Sequence, residues 1–320
     1  VNPGGLSSFG PPASRLHARL NALRAASDPA QRVQRDPVRV PHRYQDPADV
    51  EVAALFGALL AFGKVDLFLQ VLDAWCDLAD RRGGPAAYAA SFDVERDGPD
   101  IARLAYRWTR GPDLALLTLA VGDVVRAHGS LGAVFVGADA AGAITTGATA
   151  LRDAAVARSG ELGTGARAWS DLPLGLRHLM PLPADGSACK RWNLLLRWMV
   201  RPADGVDLGL WRHLDPARLV IPLDRHVSRI APLIGLVPRC DGSWRSAVAV
   251  TDALRAFAPD DPTRYDFALA HLGISGGCVG RFHPDVCPAC DLRPVCVAAL
   301  TPTAPPPTGR TTARRGATRR

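Results

Sequence analysis

The chain has 320 residues, 48% of them hydrophobic and 22% charged, and its 30 Gly and 27 Pro are too few for low complexity. A disordered or fibrous protein is excluded, and the length suits a sizeable core and two domains. The net charge of +7 suits an anionic partner, although five of the 38 basic residues (Arg310, Arg314, Arg315, Arg319 and Arg320) fall in an acid-free terminal stretch. Apolar runs such as 52–63 fall short of the ~18 residues a membrane span needs, and the first residues lack the basic and apolar regions of a signal peptide. The expectation is a cytoplasmic chain that makes no membrane contact.

In chain order, an apolar-periodic run from Leu16 to Leu23 predicts one helix after an irregular lead-in. Asp46 as N-cap and Pro47 at the first helical position then open a helix to about Phe62, with Asp49 and Glu51 complementing its dipole. Because that helix is apolar nearly all round, it should be buried. Helical spacing recurs over Lys64–Ala79, Ile101–Trp108, Leu114–His128 and Gly147–Arg158, and no strand-like alternation persists. Gly, Pro and Asp clusters at Arg81–Pro85, Gly111-Pro112 and Pro183–Gly186 cut the pattern into pieces of ordinary helix length.

Ser187–Arg201 predicts a further helix, with Leu194, Leu195, Trp198 and Met199 on one side and Arg191, Arg197 and Arg201 on others. After an apolar segment, Leu208–Leu214, Pro222-Leu223-Asp224 opens a helix from Arg225 to Ile234 that closes at Gly235. Trp244–Phe257 and Tyr265–Leu272 complete an all-α chain, and residues 301–320 read as a disordered basic tail. Trp192, Trp198 and Trp211 read as core more readily than as wedges against a base.

Cys278, Cys287, Cys290 and Cys296 follow the spacing C-x8-C-x2-C-x5-C. In a chain kept reduced, four close thiolates point to a shared metal rather than to disulfides. One C-x2-C pair flanked by single cysteines differs from the paired knuckles of zinc ribbons, so the expected cofactor is a 4Fe-4S cluster, with zinc as the alternative.

Only Lys64 and Lys190 are lysine. Where arginine serves elsewhere, a retained lysine fits chemistry that needs a deprotonated amine, because a guanidinium keeps its proton. Asp224, at a helix start, is held ionised by the dipole and amide N–H groups. As a bare N-cap it needs no further explanation.

The C-x2-C-x5-C half of the cysteine pattern resembles the end of endonuclease III and its relatives in the helix-hairpin-helix DNA glycosylase superfamily, whose first spacing is six residues where this chain has eight. Ile221–Arg229 resembles the segment carrying that superfamily's catalytic aspartate, with Asp224 and His226 in matching places and Arg225 where threonine is common. Asp185–Arg191 resembles a degenerate hairpin: Gly186 matches its first glycine, Ala188 replaces the second, and Lys190 falls on the Schiff-base lysine. The separation from Lys190 to Asp224 is similar to that of archaeal 8-oxoguanine glycosylases, and Gly63 stands where endonuclease III has a DNA-contacting glutamine. The body also resembles a bacterial family of unknown function, through Asp36–Arg43, Ser187–Arg201, Ile221–Gly235 and Asp261–Gly273.

The resemblance implies a two-domain helix-hairpin-helix glycosylase-like fold with a C-terminal four-cysteine cluster loop. Residues 1–48 would pack with the C-terminal domain, 49–205 form a helical domain ending in the hairpin, 206–300 carry the cluster, and 301–320 form the tail. It implies a monomer that binds DNA through Gly186, Ser187, Ala188, Arg191 and Arg281 and excises a damaged base. Asp224 would stabilise the sugar cation while Lys190 forms a Schiff base that gives AP lyase activity. Two readings stand beside it: a monofunctional glycosylase in which Asp224 activates water, and a nucleic-acid-binding protein of the same fold without catalysis.

Overall fold

A computed structural model describes residues 13–300; the tail expected at 301–320 lies outside the described residues. The fold is all-α apart from one two-residue hairpin. No helix among the described residues is long and apolar enough to cross a membrane.

The first layer is built on α3 (Pro47–Leu59), the helix after α1 (Ala13–Ala25) and α2 (Pro29–Val33). Asp46 caps α3 by accepting from the Ala48 N–H at 2.9 Å, and every residue from Val50 to Leu59 is buried. Its two acids do more than complement a dipole. Asp49 accepts from the Ala86 N–H (2.8 Å) at the start of α5 (Pro85–Ser91), and buried Glu51 accepts from the Leu131 N–H (2.9 Å) and Trp211 Nε1 (2.7 Å). Phe56 stacks on Trp75 of α4 (Val65–Asp80) with ring centroids 3.8 Å apart. Helices α7 (Gly111–His128) and α8 (Ala140–Arg158) pack on each other and enclose this layer.

The helix expected at Ile101–Trp108 does not form. Helix α6 (Val94–Ile101) ends where the expected one would begin, and the chain turns into the antiparallel pair β1 (Ala105–Tyr106) and β2 (Thr109–Arg110). Tertiary contacts override the local period: the Tyr106 hydroxyl donates to Phe62 O and accepts from the Lys64 N–H (3.1 Å), pinning β1 to the α3–α4 turn.

After α9 (Leu174–Leu179), residues 180–189 form a turn in which Gly186 and Cys189 take left-handed φ values of 77° and 48°, and α10 (Lys190–Val200) follows. Helix α10 is the seam of the molecule. It packs on α3 and α8, and through charge it is tied to α13 (Asp266–Ile274), which packs on α11 (Arg225–Leu233); α12 (Trp244–Arg255) lies between them in sequence. The arginines assigned to its other faces are all buried. Arg197 donates to Asp207 (3.0 Å) and Asp266, while Arg201 donates to Asp207 and Asp261 (2.9 Å). The helical pattern set these cations apart from the apolar side, and acids of other segments meet Arg197 and Arg201 inside. Trp192, Trp198 and Trp211 are core residues, each at most 2% exposed. Helix α1 packs against α13, and Tyr265 Oη donates to Asn21 Oδ1 at 3.0 Å.

The C-terminal segment, ending in α14 (Val297–Leu300), overturns the cofactor expectation. Among the described residues, no group of three or more Cys, His, Asp or Glu is placed to hold a metal ion, so Cys278, Cys287, Cys290 and Cys296 form no four-cysteine cluster loop. Among the described residues, neither a 4Fe-4S cluster nor zinc finds a ligand set. The Cys287 thiol serves its own local turn instead. Cys287 accepts from the His283 N–H (3.2 Å) and donates to Arg281 O (3.8 Å).

Candidate active site

A cleft of about 860 Å³ opens where α10, α13, the entry to α11 and the α3–α4 turn converge. From α10 it receives Lys190, Leu194 and Arg197, spaced i, i+4, i+7 and therefore on one face. The run Pro222–His226, Arg35–Pro37, the hairpin residues Tyr106 and Arg107, and Asp266, Phe267 and His271 of α13 supply the remaining walls.

Lys190 and Asp224 both line this cleft. Lys190 is half-buried at the first position of α10, and its ammonium donates to Ala61 O at 3.0 Å. Burial pushes its pKa down, opposed by the negative charges of Asp224, Asp36 and Asp266. The cap reading and the site reading of Asp224 coexist. Oδ1 accepts from the His226 (2.8 Å) and Val227 (2.7 Å) N–H groups, and no donor among the described residues engages Oδ2. His226 accepts from Arg229 through Nδ1 (3.1 Å), and burial lowers its pKa, so it stands as a neutral ring packed against Gly273.

Sequence reasoning missed the floor of the cleft. Asp266 is 2% exposed; its Oδ1 has no hydrogen-bond partner, and burial pushes its pKa up to about 6 despite the bond from Arg197. His271, also buried, bonds Asp36 Oδ2 through Nε2 at 3.1 Å, and its ring lies 4.3 Å from that of Phe267. The only sequence signal for these residues was that Asp36–Arg43 and Asp261–Gly273 are segments of family likeness.

At the mouth, Arg35, Lys64, Arg107 and Arg225 are exposed, and none forms an ion pair among the described residues. The residues assigned to DNA through the hairpin likeness lie elsewhere. Gly186 is exposed with open space around its Cα, and its carbonyl accepts from the Trp244 N–H (3.0 Å). Ser187 forms a bridge with Ser243, and its hydroxyl accepts from the Cys189 N–H (3.2 Å). Ala188 is buried. Arg191 is buried over the Phe62 ring (5.2 Å) and donates to His178 O, and burial lowers its pKa to about 10. Arg281 is exposed beside the cysteine turns, apart from the cleft.

Residues 36–275 match a family described as "Protein of unknown function (DUF2400)". No curated protein and no solved structure matches the chain.

Proposed function

For this chain, which belongs to the DUF2400 family of unknown function, we propose a DNA glycosylase activity with an associated lyase step. The observation that carries the reading is that Lys190 and Asp224, far apart in sequence, line one cleft. Desolvation lowers the lysine's proton affinity while Asp224 keeps a carboxylate oxygen that no donor among the described residues engages.

The chemistry follows from those two groups. A base stacked in a duplex cannot be reached, so the nucleotide must be extruded, and about 860 Å³ is ample for a nucleoside. The neutral Lys190 amine attacks C1′ as the bond from C1′ to the base nitrogen breaks. The free oxygen of Asp224 balances the positive charge that builds on the sugar and accepts the proton that the attacking amine sheds. Ring opening to the Schiff base then permits strand cleavage by β-elimination. Arg35, Lys64, Arg107 and Arg225 suit the flanking phosphates, which position the duplex without reading its sequence.

Borohydride reduction in the presence of duplexes carrying a lesion panel or an abasic site tests the reading. The expected result is a covalent protein–DNA adduct, lost in Lys190→Arg because guanidinium keeps the charge but cannot form the imine. Base release without an adduct, abolished by Asp224→Asn and kept in Lys190→Arg, would select the monofunctional reading, which the free oxygen of Asp224 also suits. Binding with neither reaction would leave a nucleic-acid-binding module.

A further inference from the structure

Lys190 and Asp224 account for attack at C1′ but leave the departing base without a proton. We propose that His271 is a second catalytic residue of this cleft, the general acid that protonates the base as it leaves, with Asp36 as its positioning partner. The inference rests on the glycosylase reading above and adds the leaving-group half of the reaction.

Three observations carry it. His271 and Asp36 both line the cleft that holds Lys190 and Asp224. The ring is fixed on two sides, by the 3.1 Å bond from Nε2 to Asp36 Oδ2 and by Phe267 at 4.3 Å. That bond commits Nε2, and no hydrogen bond among the described residues engages Nδ1, which is the nitrogen left for a ligand.

Asp36 is itself held in place, because its Oδ1 accepts from the Val38 N–H at 3.0 Å. Against the burial that would raise it, the bonds from His271 and Val38 and the charge of Arg197 keep the Asp36 carboxyl below its ordinary value. An ionised Asp36 therefore stands ready to stabilise an imidazolium. The other ionisable groups of the cleft include Asp266 on the same helix, Lys190 and Arg197 on α10, Asp224, Arg225 and His226 at the start of α11, and Arg35, Lys64 and Arg107 at the mouth.

In the step, the electron pair of the bond to C1′ passes to the base nitrogen and the Nδ1 proton moves to the base. His271 is left neutral, with Nε2–H still bonded to Asp36, and solvent returns the proton for the next turnover. No other reactant is consumed.

The test compares two reactions of the full-length protein: single-turnover release of a base from a lesion duplex, and borohydride trapping at a preformed abasic site, which has no base to expel. His271→Gln should slow base release by roughly 100-fold or more while trapping stays near the wild-type rate. Asp36→Asn keeps the Val38 cap. It should slow release less and move the limb of the rate profile that falls with rising pH toward lower pH, a change that loss of packing alone would not produce. Wild-type release in His271→Gln, or equal loss of both reactions, would overturn the assignment. A wild-type protein that neither releases base nor traps would instead overturn the glycosylase reading itself.

Discussion

Replacing Arg197 with Met tests whether the buried charge network holds the cleft together. Its side chain is 3% exposed, and it donates to Asp207 at 3.0 Å and to Asp266, whose side chains are 1% and 3% exposed. Met fills similar volume, so the main loss is electrostatic: buried Asp266 loses its cation, while Asp207 keeps Arg201. Removing one partner of a buried pair costs about 3–5 kcal/mol, which at roughly 2–4 °C per kcal/mol for a chain of this size lowers Tm by about 10 °C. The deficit must also depend on pH. Burial raises the pKa of both Asp207 and Asp266, the latter to about 6, against the pull of Arg197. A carboxyl whose folded pKa exceeds its unfolded value contributes stability at low pH and loses it as pH rises through the folded pKa. Without Arg197 those folded values climb further, so thermal unfolding should show a large deficit near pH ~7.5 that narrows near pH ~5.5, where the carboxyls can protonate. Adding Asp266→Asn should recover much of the loss at the higher pH, because Asp207 still has Arg201. An equal deficit at both pH values, or one below about 1 kcal/mol, would refute the argument that these charges depend on one another.

Two further substitutions separate structure from chemistry. Asp224→Ala should cost about 1 kcal/mol through the lost cap, whereas Asp224→Asn should hold Tm near wild type; both should reduce base release by roughly 100-fold or more, so an Asn variant that works would reduce Asp224 to a cap. Gly63→Ala should cost at least about 1 kcal/mol, since Gly63 has φ 85° and an added Cβ would run into the Tyr106 hydroxyl; calorimetry showing no loss would refute that packing argument.

Helices announced by their own caps were legible in the sequence. Asp46 and Asp224 mark starts that the structure reproduces, because a cap is a bond between residues two or three apart. The Ile101–Trp108 segment was not, since a bond from Tyr106 to the α3–α4 turn decides its form. The cysteine pattern misled for a related reason: spacing along the chain says nothing of whether four thiols converge. Lys190 and Asp224 stood out through residue type and likeness, but Asp36, Asp266 and His271 did not. Their significance lies in sharing a cleft, and Arg197 in a helical pattern looks like any solvated cation until Asp207 and Asp266 are brought to it.

The same network explains why stability and chemistry should be coupled here. One face of α10 carries Lys190 and, seven residues on, Arg197, while α13 lines the same cleft with Asp266 and, five residues on, His271. The ion pair between Arg197 and Asp266 therefore fixes the proposed nucleophile's helix against the proposed acid's helix, and the bond from Asp36 to His271 fixes the N-terminal segment against both. Phe267, between those acidic positions, lies under the Arg197 guanidinium at 5.8 Å and beside the His271 ring, so the apolar contact follows the same seam. A cleft defined by such ties keeps its reacting groups in register only while the ties hold. For that reason Arg197→Met should slow base release even at temperatures where the variant remains folded, since small misplacements of reacting groups carry large rate penalties.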